Sequence, residues 1–152
     1  MKTFERTRDV LDHARSFHHQ VGELYQRLEN RAEKERVQML LDYLRRHERH
    51  LEESLADYEE DASKRILDTW FQYTLEEDPS NLLSEVEIKA DMAVNDVVRL
   101  ALRLDDYLID LYRSMADNTD IPEVKEIFTN LLELEQQDEH QLARNALRLD
   151  EM

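Results

Sequence analysis

One polar skeleton is written twice in this chain, and both copies sit in apolar frames of helical period. His18-x6-Tyr25 is followed by His47-x-x-His50, and Asp105-x6-Tyr112 is followed by Gln137-x-x-His140. The second copy spreads its halves slightly further apart, where Asp117-Asn118-Thr119-Asp120-Ile121-Pro122 supplies a longer turn. A repeat of this kind predicts two helical hairpins on one plan, each sending similar polar positions inward.

The apolar stripes support that plan. Val10, Ala14, Phe17, Val21, Leu24 and Leu28 alternate by threes and fours, as the seam of a bundle helix does. Thr3 or Thr7 is placed to cap this first helix; His18 points inward beside its stripe, while His13 and His19 face out. Gly22 weakens helix propensity and permits close approach by another backbone. Asn30-Arg31-Ala32-Glu33 reads as a capping box opening a second helix on Val37, Leu40, Leu41, Leu44, His47, Leu51 and Leu55. A third helix, starting between Ser80 and Ser84 and ending near Ala116, carries Val94, Val98, Ala101, Asp105, Leu108, Tyr112 and Met115. A fourth follows Pro122, tolerated in a first turn, on Val124, Ile127, Phe128, Leu131 and Leu134. Beyond Leu134 its stripe turns polar through Glu135, Gln137, Asp138 and His140 before Leu142 and Ala146.

Residues 61–83 lose the clean period. A structureless loop of that length inside a small domain is unusual, so the stretch is expected to be a long crossover with a short helix. It would lay Trp70 and Phe71 over one side or end of the bundle, or else present them as a dimer contact. The expected fold is a single all-α domain over 1–152. It is an antiparallel four-helix bundle with hairpin 1 at about 3–60, the crossover at about 61–83 and hairpin 2 at about 84–150.

Composition agrees, and it excludes several functions. One Gly, two Pro and 37% charged residues suit long helices. The absence of Cys removes disulfides, thiolate metal sites and cysteine nucleophiles. With 20 Lys and Arg against 36 Asp and Glu, the net charge of −16 repels phosphate backbones and anionic lipid, so neither nucleic acid nor membrane is an expected partner. No apolar run is long enough to span a bilayer, and Met1-Lys2-Thr3-Phe4-Glu5-Arg6 does not read as a signal peptide, which makes a cytoplasmic location the expectation. No glycine-rich phosphate loop or serine nucleophile turn is present, and His47-Glu48-Arg49-His50 lacks the i,i+4 histidines of a zinc protease.

Each helix therefore places a polar or metal-binding side chain at its core stripe: His18, His47 with His50, Asp105, and Gln137 with His140. Buried among leucines, such groups need partners, either one another or a shared metal. With Leu108-Ile109-Asp110-Leu111-Tyr112, Pro122–Phe128 and Glu135–His140, the chain resembles the rubrerythrin-like branch of the ferritin-like superfamily over nearly its whole length. That resemblance implies a homodimer. It also implies two irons held by a glutamate seven residues before a tyrosine in helices 1 and 3, and by Glu-x-x-His in helices 2 and 4. Carried over by position, the ligands are His18, His47, His50, Asp105, Gln137 and His140. The family's four glutamates stand here as His18, His47, Asp105 and Gln137, leaving one anionic bridge.

Three readings follow. The first is a remodelled site binding one transition metal, iron, zinc or manganese, on His18, His47, His50, Asp105 and His140. The second is a metal-free degenerate bundle with a hydrogen-bonded centre, acting as a structural or protein-interaction module. The third is a di-iron oxidoreductase reducing peroxide or oxygen. A variant of the second has the clustered histidines repel one another when protonated, loosening the bundle below about pH 6. Glu135 and Asp138 compete with Gln137 for the inner face of helix 4, whereas Glu23 and Glu48 read as solvent-facing.

Overall fold

A computed structural model describes residues 2–74 and 79–151, with side chains for 6–70 and 81–149. In chain order it runs β1 (Lys2–Arg6), α1 (Thr7–Arg31), α2 (Glu35–Asp61), α3 (Lys64–Leu67), β2 (Trp70–Thr74), α4 (Pro79–Ser84), α5 (Val94–Asp117) and α6 (Pro122–Glu151). The architecture is the expected all-α bundle. The two hairpins, α1 with α2 and α5 with α6, make the most extensive packing, and α2 closes the bundle against α5 and α6.

The buried positions explain why four helices assemble. In α1 they include Leu11, Ala14, His18, Val21, Tyr25 and Leu28; in α2, Val37, Leu41, Leu44, Glu48, Leu51 and Leu55. In α5 they include Val94, Val97, Ala101, Asp105, Leu108, Tyr112 and Met115; in α6, Val124, Phe128, Leu131, Glu135, Asp138, Leu142 and Ala146. Steps of three and four keep every stripe on one side of its helix, where burial removes apolar surface from water. The stripes pass through polar residues at one level of the bundle without changing step.

Arg6, whose N–H donates to Asp9 Oδ2, and not Thr3 or Thr7, caps α1, and element ends differ from the sequence expectation in three further places. α1 runs through Asn30, whose amide oxygen accepts from Gln26, so Asn30 closes a last turn instead of capping the next helix. The turn is tied by Gln38 donating to the Ala32 carbonyl at 2.8 Å and by Glu33 N–H donating to the Ala90 carbonyl at 3.1 Å. The third long helix starts at Val94, not near Ser84. Between them Val86, Ile88, Ala90 and Met92 are half-covered while Glu85, Glu87, Lys89 and Asp91 are exposed. That period of two belongs to an extended strap lying on the bundle, not to a helix. The crossover thus lengthens at the expense of hairpin 2.

The third difference is a short antiparallel ribbon in which β1 pairs with β2, Arg6 opposite Trp70. It straps the start of the chain to the crossover, and Thr7 N–H continues the tie to the Thr69 carbonyl at 2.7 Å. Trp70 is 65% exposed instead of lying over the bundle, with the Arg6 guanidinium 5.8 Å from its ring centre. The Phe71 side chain and residues 75–78 lie outside the described residues. Among the described residues no helix is long and apolar enough to cross a membrane.

Candidate functional site

The polar level of the bundle is built from one residue on each long helix, with a second on α6. His18, Glu48, Asp105 and Glu135 are all buried, and Asp138 follows Glu135 by one turn. His18 stands between two of the acids. Its Nδ1 donates to Glu48 Oε2, and its Nε2 lies 3.1 Å from Glu135 Oε1. The second contact is a close ion pair with its N–H off the line of centres, since Nε2 has no aligned hydrogen-bond partner. One imidazole thereby joins α1 to α2 and to α6.

Electrostatics favour an imidazolium there. Burial alone would push the His18 pKa down, but the charges of Glu48 and Glu135, with the contact each makes to the ring, outweigh it and hold the pKa well above the usual value. Asp105 is pushed well above the carboxylate range, first by burial and then by Glu48 and Glu135. Glu135 is raised too, because burial exceeds the opposing pull of His18. The centre thus sets one imidazolium among buried acids whose burial disfavours the charged form at Asp105 and Glu135.

Two phenols line the same level. Tyr25 and Tyr112, seven residues beyond His18 and Asp105, are buried, and their hydroxyls have no hydrogen-bond partner. Burial, with Glu48 nearest Tyr25 in effect and Glu135 nearest Tyr112, pushes both pKa values well above the ordinary phenol value, so both stay neutral. Glu135 Oε2 and Asp138 Oδ2 are likewise buried without a hydrogen bond.

The residues expected to form one metal site divide into two groups. His18 and Asp105 are in the core, as expected. His47 is half-buried at its margin, its Nε2 2.8 Å from Asp138 Oδ1 and its ring stacked on Tyr43 at 5.7 Å. Its pKa is raised, chiefly by the close Asp138 carboxylate against the cost of burial, although Nε2 makes no aligned hydrogen bond. His50, Gln137 and His140 are exposed. They line a groove of about 400 Å³ between α2 and α6, together with His47 and Asp138. Glu48, expected to face solvent, is the buried acid of α2, and Glu135 with Asp138 takes the inner face of α6 from Gln137. His13 is half-covered and bonded to the Tyr107 hydroxyl at 2.7 Å; His19 is exposed between Glu23 and Glu52.

This division also removes the acid switch built on repelling histidines. A single histidine reaches the centre proper, its two nitrogens face carboxylates, and protonation strengthens the contact.

The donor types present suit a transition metal, but their arrangement does not match a two-metal centre. Both ring nitrogens of His18 are occupied by the carboxylates that would have to bridge metals. Leu51 stands three residues after Glu48, and Asp138 three after Glu135, where histidines would be needed. Among the described residues no group of three or more His, Asp or Glu side chains is arranged to hold a metal ion.

The signal for the inward acids was in the stripes. Leu41, Leu44, Glu48, Leu51 and Leu55 keep an unbroken three-four step, and so do Phe128, Leu131, Glu135, Asp138 and Leu142. Gly22 gives a second sign: a Cβ there would lie 3.7 Å from Glu48 Cβ, which places the glycine directly opposite that acid.

No protein-family model matches the chain, and no curated protein shows a significant sequence match. Among solved structures, a Thermotoga maritima protein described as ferritin-like and of the diiron-carboxylate kind superposes with a TM-score of 0.63. The match covers 92% of this chain and 93% of that one, at 16% sequence identity. Identity that low carries the fold and not the chemistry: the chain has a ferritin-like helical fold.

Proposed function

We propose that this protein is a ferritin-like bundle whose centre is closed by a buried imidazolium in place of metal, and that it serves as a metal-independent structural or protein-interaction module. The observation that carries the reading is His18, buried and clamped through both ring nitrogens by acids from α2 and α6. A cation shared by two carboxylates supplies the attraction that a bridging metal would supply. The test is the protonation state of His18 by nitrogen NMR on the full chain at pH 7.5, with and without added ferrous or manganous ion. A doubly protonated ring that added metal does not alter is expected. A ring that loses a proton as metal binds, with binding abolished by Asp105→Asn, overturns the reading.

The orphaned atoms favour a second reading. Glu135 Oε2, Tyr25 Oη and Tyr112 Oη face the centre's level without partners. A single transition-metal ion taken up by Glu48, Asp105 and Glu135 beside His18 would satisfy acids that burial otherwise penalises. About one metal per chain, lost in Asp105→Asn, is the outcome that selects it.

A further inference from the structure

Two outward stripes flank the groove between α2 and α6. On α2, steps of four, three and four from Met39 give Tyr43, Arg46 and His50; on α6, the same steps from Gln137 give Gln141, Arg144 and Arg148. The two helices run antiparallel here, since His47 meets Asp138 while Tyr43 meets Asn145. That alignment sets the Met39–Tyr43 end of one stripe beside the Arg144–Arg148 end of the other.

Neither stripe contains an acid, in a chain with 36 Asp and Glu against 20 Lys and Arg. The same steps along the outer face of α5 give Asp106, Asp110, Arg113 and Asp117, all exposed. Arg46 is held by Asp42 at 2.8 Å, but Arg144 and Arg148 are exposed and meet no acid among the described residues. Asp138, the acid that lines the groove, is buried and paired with His47. One turn before Tyr43, Met39 is 47% exposed and puts an apolar side chain next to the guanidinium groups. The face is therefore cationic and partly apolar on a body of net charge −16. Its complement is a surface that is acidic and carries an apolar anchor. A second copy does not fit in two-fold fashion, because two cationic faces repel, and the acidic remainder of the chain repels a long polyanion.

We propose that the α2–α6 face docks an acidic segment of a partner protein, with its carboxylates on Arg144 and Arg148 and an apolar side chain on Met39 and Tyr43. The proposal gives the interaction reading of the bundle its surface and rests on that reading. It does not depend on the protonation of His18, so the two tests fail separately.

The experiment titrates the nitrogen-labelled full chain with a short polyglutamate peptide carrying one central leucine, at pH 7.5 and low salt, and follows backbone amide shifts by NMR. Saturable shifts confined to residues 36–50 and 137–149 are expected, with affinity falling as salt is added. Arg144→Glu with Arg148→Glu should weaken binding at least about tenfold, and serine in place of the peptide's leucine should weaken it further. Arg113→Glu with Lys125→Glu, the same charge change at exposed positions off this face, should leave it unchanged. Circular dichroism should be equal in all variants. No saturable binding, shifts lying elsewhere, or affinity indifferent to the Arg144 and Arg148 reversals overturns the proposal. Tighter binding of a single-stranded oligonucleotide of equal charge overturns it as well, as does self-association by light scattering that the same reversals abolish.

Discussion

Replacing His18 by Gln tests the centre most directly, because it keeps a polar side chain and removes the cation that Glu48 and Glu135 share. Breaking a buried ion pair by deleting one partner costs about 3–5 kcal/mol, since the remaining charge stays buried and uncompensated. The chain has one escape, which is to protonate a stranded acid. At pH 7, placing a proton on a carboxylate of ordinary pKa near 4.5 costs about 3.4 kcal/mol, which agrees with the lower part of that range. The escape becomes easier by about 1.4 kcal/mol for each pH unit removed. Acting against this, the folded pKa of His18 is raised, so the native histidine stabilises fully below its unfolded value near 6.5. That contribution is lost as pH rises through the folded value, so it shrinks slightly between pH 5 and 7, by roughly 0.7 kcal/mol. The net expectation is a penalty of about 3–5 kcal/mol at pH 7 that falls by about 2 kcal/mol at pH 5. Urea denaturation of both proteins at the two pH values measures it. Adding Glu48→Gln to His18→Gln should recover a substantial part of the loss at pH 7. A penalty under about 1 kcal/mol at pH 7, or one indifferent to pH, refutes the clamp.

Two further substitutions probe the surroundings. Gly22 sits inside α1 with ordinary helical backbone, and the Cβ of an alanine would meet Glu48 Cβ at 3.7 Å, an unstrained contact. Gly22→Ala is therefore expected to stabilise by about 0.5–1 kcal/mol; a loss in urea denaturation would mean that α1 and α2 need the gap. Glu59 is held at a pKa of about 7, first by burial and then by Asp12, with Arg15 pulling the other way. A carboxyl whose folded pKa exceeds its unfolded one costs stability as pH rises between the two, so Glu59→Gln should stabilise at pH 8 and do nothing at pH 4. Because this carboxyl reaches the surface, the gain is about 1 kcal/mol or less, and equal effects at both pH values would contradict the assignment.

The fold was legible because long helices state their faces repeatedly, whereas the crossover states its structure only once. Four stripes of three-four steps fixed which helices pair, and a small error in any one position could not alter that result. The ribbon and the strap before α5 had no such redundancy. β1 and β2 are joined by backbone pairing, which side-chain patterns report weakly, and Lys2–Arg6 shows no clean alternation. The strap did announce itself in Val86, Ile88, Ala90 and Met92, but a capping pattern at Ser84 drew the helix start too early. Ser84 instead ends α4, its hydroxyl donating to the Asn81 carbonyl at 3.1 Å.

The centre was misread for a reason of helix pitch. Adjacent residues on a helix diverge by about 100° and residues two apart by about 200°, so choosing His47 over Glu48, or Gln137 over Glu135, turns the inside of the bundle outward. Matching by ligand identity favoured His50 and His140, because histidines stand where a di-iron pattern has them. Continuing the stripes by step alone favours the acids. A step of four from Leu44 and from Leu131 lands on Glu48 and Glu135, and a further step of three lands on Leu51 and Asp138. The packing follows the step, since moving a helix by one residue would turn Leu44, Leu51 and Leu55 away from the core together with the acid. Several buried leucines, at about 1.5–3 kcal/mol each, outweigh any preference of one histidine for a metal. The rotation that buries Glu48 also carries His47 to the margin and His50 to the surface, on the side where α6 presents His140. Thus the residues a metal pattern selects are displaced together, and their regrouping in one groove is a consequence of the same apolar seam that set His18 between its two acids.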